Sequence, residues 1–336
     1  MKISPPNSKT DLREPLLQLL WQQWSALGVS GHGSSQARAM VDPEALVLIS
    51  TVFARYDARL FDEMFDWLRS NGTWINVLRL TRLQKEHGLG DASVLGAIAE
   101  HLTVDSAHLK WKVLAKDAPL APAGRPLFPH LAVLNNTDEK FQHWGWLRPP
   151  VENRGLSRQP RPDQAATFLL KLRALFGRQS RAEVMAWLLA HEAGHPAQIA
   201  RETGYFRGSL QTILNELELT GHIQATRQGR EKLFAARKEH WKFLLTWTDE
   251  GAFPQWHPWA LLFALIKGVH ELVGRPEFAN YSGDLQSIEL KRVMEPLMAR
   301  LMDEGYGTSF VGLSGVPNPV TLILSELREE IEELQS

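Results

Sequence analysis

Apolar residues set the first elements. Between Asp11 and Leu27, Leu16, Leu19, Leu20 and Trp24 recur at spacings of three and four, the period of one helix face, and predict a first helix. Glycines and serines from Ser30 to Ser35 then predict a loop. Asp42-Pro43-Glu44 reads as a helix start, because an aspartate can accept from free first-turn N–H groups and proline suits the first helical position; Ala45 to Phe53 follow as a buried helix. Asp57 opens another helix through Leu60, Phe61, Phe65 and Leu68, and Asn71-Gly72 ends it. Two more are expected before Leu102, so residues 43–102 form either a generic helical unit or a second, divergent helix-turn-helix with Asp91 and Ser93 to meet bases.

From Lys116 to Asp163 the period fails and prolines accumulate, which predicts a connector; its aromatic stretches PLFPHLAV and FQHWGWLRPP should pack on a domain, with His130 and His143 as surface or packing residues. Residues 162–176 return to a helical period with Phe168, Leu169, Leu172 and Phe176. Three short helices and a ribbon come next. Val184, Trp187 and Leu188 share one face before Gly194, Ile199 and Ala200 face inward between Pro196 and Gly204, and Leu210, Ile213, Leu214 and Leu217 form the apolar stripe of the third helix. Its opposite face carries Ser209, Gln211, Thr212 and Asn215, side chains that can hydrogen-bond base edges. After Gly221, IQATRQ, GR and EKLFA read as a hairpin bearing Arg227, Arg230 and Lys232. Four tryptophans, Trp241, Trp247, Trp256 and Trp259, then accompany helices over 258–273 and 287–304, as ordinary core or as the wall of a ligand pocket. Val320, Leu324, Leu327, Ile331 and Leu334 close the chain with a short heptad seam, which equally suits a helix docked on its own domain.

The order of elements over about 165–237 resembles the winged helix-turn-helix regulators of the MarR and ArsR type. The resemblance rests on a leucine-rich third helix followed by a Leu-x-x-x-Gly-x-Ile step, here Leu217, Gly221 and Ile223. It implies that the third helix enters the major groove and the wing touches the backbone, which assigns DNA contact to Arg207, Ser209, Gln211, Thr212, Asn215, Arg227, Arg230 and Lys232. In ArsR-type regulators the helix before the reader often builds a dimer contact, so residues 162–176 are placed either for that role or for packing on their own winged helix.

One pentapeptide offers different chemistry. His191-Glu192-Ala193-Gly194-His195 matches H-E-x-x-H, in which two histidines one turn apart hold zinc and the glutamate activates its water. Gly194 and Pro196 argue against that reading, because proline would clash with the carbonyl of residue 192 in a continuing helix, so the helix should stop inside the motif. Glu216, Glu218 and His222 are the available third ligands.

Composition narrows the partners. With 37 basic and 38 acidic side chains the chain is near neutral, so any nucleic-acid face must be local. The stretch from Arg148 to Arg181 is a candidate, holding eight basic residues against Glu152 and Asp163, and reads either as a phosphate-facing tract or as a solvated linker. Cysteine is absent, which excludes disulfides and thiolate sites. No stretch has the apolar length of a signal peptide or a membrane span, which predicts a cytoplasmic protein. The sequence therefore predicts a mainly α, multidomain protein: an N-terminal helical domain (1–115), a Pro-rich, aromatic and basic connector (116–163), a central winged helix-turn-helix with a small β-hairpin wing (164–237) and a C-terminal helical domain (238–336). The expected function is sequence-specific regulation of transcription on double-stranded DNA, as a homodimer without a cofactor. The alternatives are a protein-interaction module, such as a toxin-neutralising partner, and a zinc hydrolase on His191 and His195.

Overall fold

The computed structural model describes residues 11–31, 38–116, 118–131, 136–229, 231–247, 251–302 and 318–335. The protein is mainly helical. In chain order the first helices are α1 (Arg13–Ala26), α2 (Pro43–Phe53), α3 (Ala58–Asn71), α4 (Val77–His87) and α5 (Ala92–Leu102). Their starts obey local chemistry: Asp42, Asp57, Asn76 and Asp91 each accept hydrogen bonds from first-turn N–H groups of α2 to α5. Helix α2 is apolar almost all round and is accordingly enclosed, with only Val52 half-buried.

The connector does pack. After α6 (Lys112–Lys116) it contains α7 (Glu139–His143) and a parallel pair of two-residue strands, β1 (Arg125–Pro126) and β2 (Trp146–Leu147). Through Leu127, Phe128, Phe141, Trp144 and Trp146 it joins the core of α1 to α5. Asp91 caps α5, and Ser93 donates to Asp91 while accepting from the Trp146 indole at 2.9 Å. Helix α5 is thus buried in this core, and neither residue is available to bases as the second helix-turn-helix would need.

The second half comprises α8 (Phe168–Phe176), α9 (Ser180–Ala190), α10 (Pro196–Thr203), α11 (Arg207–Leu219), the antiparallel strands β3 (Ile223–Gln228) and β4 (Glu231–Ala236), then α12 (Trp259–Val273), α13 (Gly283–Met302) and α14 (Pro319–Glu333). Buried side chains fall into two clusters. One unites α1 to α5 with α12 to α14, so the C-terminal helices share the core of the N-terminal ones. Helix α14 lies against α1, buries Ile323, Leu324, Leu327 and Ile331, and is tied there by Gln335 Nε2 donating to the Pro15 carbonyl at 2.7 Å. The other cluster is built by α8 to α11, the hairpin, Trp241 and Leu244.

Helix α8 belongs to both. Leu170 faces the first cluster while Phe168, Leu169 and Leu172 face the second, leaving Ala174 and Leu175 exposed. The helix placed by sequence for a dimer contact is therefore occupied by packing within its own chain. Between the clusters sits a group of charges removed from water. Arg173 of α8 grips Glu44 of α2 with two hydrogen bonds, at 2.8 and 2.6 Å, and Glu183 of α9 at 2.9 Å. Arg79 of α4 binds Asp42 and Glu44, both at 2.7 Å, and the Thr203 carbonyl at 2.8 Å. Burial pushes the Glu183 carboxyl above its usual range, with Arg173 opposing.

Candidate nucleic-acid interface

Helix α9 stops at Ala190, one residue before the H-E-x-x-H pentapeptide, and His191 already has extended backbone angles. The His191 ring stacks on the buried Trp187 indole, 3.9 Å between centroids and 10° from parallel, and its Nδ1 bonds to the Trp187 carbonyl at 2.8 Å. Its pKa is lowered mainly by burial. Glycine is needed at 194, because a Cβ there would come within 2.2 Å of the Trp187 ring. That close approach lets Gly194 exchange two 2.9 Å backbone hydrogen bonds with Phe234, adding an edge to the hairpin. His195 caps α10 by accepting from Ala197 N at 3.2 Å, and Pro196 occupies the first helical position. Glu192 is fully exposed, 3.3 Å from Lys238. The pentapeptide is thus a turn whose two histidines serve the ends of two different helices.

Helix α11 follows Gly204, whose left-handed φ of 73° ends α10. Its stripe inserts Leu210, Leu214 and Leu217 into the second core, with Ile213 half-buried. The opposite side is open: Arg207, Ser209, Thr212 and Asn215 are exposed, and Gln211 is half-buried with its Nε2 donating to Asn215 Oδ1 at 3.1 Å. Beside it, Arg227 and Lys232 face each other across the hairpin, Arg227 exposed and Lys232 half-buried. Arg230 lies outside the described residues. Seven of the eight residues chosen from sequence therefore gather on α11 and the adjoining hairpin.

The charge around them is less favourable than the residue types suggested. Glu216 pairs with Arg181, and Glu218 pairs with Lys232. Of the other third-ligand candidates, His222 lies edge-on to Trp241, with 5.2 Å between centroids. Among the described residues no three His, Asp or Glu side chains are gathered as a metal would require. The basic tract from Arg148 to Arg181 is also largely consumed: Arg148 is buried 2.8 Å from Asp62 and 5.3 Å from the ring centroids of Phe128 and Phe141, Arg154 meets Glu63 at 3.4 Å, and Arg173 lies in the buried cluster. It is not an open strip for phosphates.

Sequence reasoning missed Arg82, which donates to the Gly204 carbonyl at 2.9 Å and stacks over Phe206 at 3.7 Å, fixing the turn that starts α11 from 122 residues away. Only the neighbouring Tyr205-Phe206 pair hinted that something packs on this turn. No family model, curated protein or solved structure matches the chain.

Proposed function

We propose that residues 164–237 form a winged helix-turn-helix and that the protein is a sequence-specific DNA-binding transcriptional regulator. One observation carries the reading: α11 seals its leucine face in the core and leaves Arg207, Ser209, Gln211, Thr212 and Asn215 on the side facing solvent, next to a hairpin with Arg227 at its exposed edge. Hydrogen-bonding side chains on the first two turns of a helix are what base-edge recognition in a major groove requires. Gly194 bridging to Phe234 supports the wing, since it ties the hairpin to the turn between α9 and α10 and so fixes its direction relative to α11. The acidic end of α11, at Glu216 and Glu218, confines contact to the stretch before it, from Arg207 to Asn215. A homodimer remains part of the proposal, with its contact outside α8.

The test is binding of the full chain to genomic fragments near its own gene, measured by fluorescence anisotropy across a salt series. Binding should weaken steeply with salt, and Arg227→Ala should reduce the log–log slope by about 0.9 for one lost phosphate contact. No binding at low salt overturns the reading. A second reading, as a protein-interaction module such as a toxin-neutralising partner, draws on Phe206 and Leu219, 67% and 89% exposed at the two ends of α11, and on the acids beside Leu219. Co-purification of a partner abolished by Leu219→Asp, with DNA binding absent, would favour it.

A further inference from the structure

A groove of about 740 Å³ lies where residues 72–82 and the turn at 106–111 face the starts of α9 and α11. That volume falls within the roughly 300–1,000 Å³ of small-molecule sites. One part of its lining is apolar, with Leu78 left 77% exposed beside Val113, Trp111 and Phe206. The rest is cationic. Arg79, Arg82, Lys110 and Arg178 line it, and among the described residues no carboxylate does. Arg79 is matched by Asp42 and Glu44 beneath. The side chains of Arg178 and Lys110 have no hydrogen bond or ion pair among the described residues. Gln179 and Phe206 precede α9 and α11 without capping them, so first-turn N–H groups of both helices add to the positive potential there.

We propose that this groove binds a small phosphorylated ligand with a planar ring, of the nucleoside monophosphate class. Its phosphate is drawn to Arg178, Lys110 and the uncapped helix starts, where charge-assisted hydrogen bonds to an anion are strongest. Its ring covers the apolar surface of Leu78 and Val113 and the part of Phe206 that Arg82 leaves open. A duplex backbone answers the cations but leaves that apolar wall against phosphate and sugar, so the small molecule fits the whole lining better. The proposal does not rest on the DNA-binding reading, and its primary test uses no DNA.

The experiment is isothermal titration of the full-length protein with the four common ribonucleoside monophosphates, with inorganic phosphate and the parent nucleosides as separate arms. Saturable single-site binding of at least one monophosphate, tighter than by phosphate or nucleoside alone, is expected. Arg178→Ala should weaken it by about tenfold or more, the loss of one charge-assisted hydrogen bond. Leu78→Asp, which sets a carboxylate in the groove at an exposed position, should weaken it comparably while leaving the unfolding midpoint near that of the parent. No binding of any monophosphate at millimolar concentration overturns the proposal, as does binding that survives both Leu78→Asp and the combined Arg178→Ala, Lys110→Ala change. If these variants lower salt-dependent affinity for duplex DNA and no monophosphate binds, the groove is nucleic-acid surface and the proposal fails.

Discussion

Arg181 and Glu183 sit two residues apart on α9 and inhabit opposite worlds. Glu183 is sealed with Arg173, Glu44, Arg79 and Asp42 between the two cores, whereas Arg181 meets Glu216 at the surface beside the open face of α11. The buried group cannot rearrange toward a partner, because every guanidinium in it is committed to carboxylates and carbonyls. The surface pairs are screened and cheap to break, so α11 can exchange them for contacts with an incoming ligand. Charge counts along the sequence do not distinguish the two; burial does.

Four tests sharpen or break this contrast. The largest effect belongs to Arg173→Met, which strands Glu183 without its arginine and leaves Glu44 with Arg79 alone, and should cost about 3–5 kcal/mol in urea unfolding, whereas Arg181→Ala should cost at most about 0.5 kcal/mol. Equal losses from the two would erase the distinction. Next, Gln211→Ala should cost about 1–3 kcal/mol in binding to the preferred DNA site, with little change on random DNA. An equal loss on both would assign Gln211 to folding or backbone contact.

The third test uses pH. Glutamate ordinarily titrates near 4.5, and burial raises the Glu183 carboxyl above that. Between those two values the folded protein holds a proton that the unfolded chain has released, so this residue makes stability fall as pH rises through the window. Glu183→Gln should flatten that fall in unfolding midpoints measured above pH 4.5. An unchanged slope would mean that Glu183 is ionised in place. The smallest effect is expected from Glu192→Gln, within about 0.5 kcal/mol of the parent in stability, because its side chain is fully exposed. Stoichiometric zinc by elemental analysis, lost on His191→Ala, together with a hydrolytic activity abolished by Glu192→Gln, would reopen the reading of the pentapeptide as a metal site.

Features written in neighbouring residues were legible from sequence. Asp42 before Pro43, Asp57 at the start of α3 and the leucine stripe of α11 each act within one or two turns, and each element lies where its pattern put it. The apolar period of α13 starts at Ser287, whereas the helix begins at Gly283, where Ser282 accepts from Leu285 N. Long-range pairing was not legible. Arg173 and Glu44 are 129 residues apart, and nothing near either marks the other as its partner. For the same reason Arg148 and Arg173 read as a basic tract although both are buried. At the candidate interface the exposed polar face followed from helix periodicity, but the pairing of Glu218 with Lys232 depends on how the hairpin folds back over α11.

Helix α8 carries a lesson about modularity. Its two faces are walls of different cores, and Met40, from the other end of the chain, also fills the second one while its carbonyl accepts from the Trp259 indole at 2.7 Å. The head containing α11 is therefore not a cassette that can be cut out at residues 164 and 237 and grafted elsewhere: excision would strip α8 of one wall and expose Arg173 without Glu44. Any change to the exposed face of α11 has to be made within the intact chain.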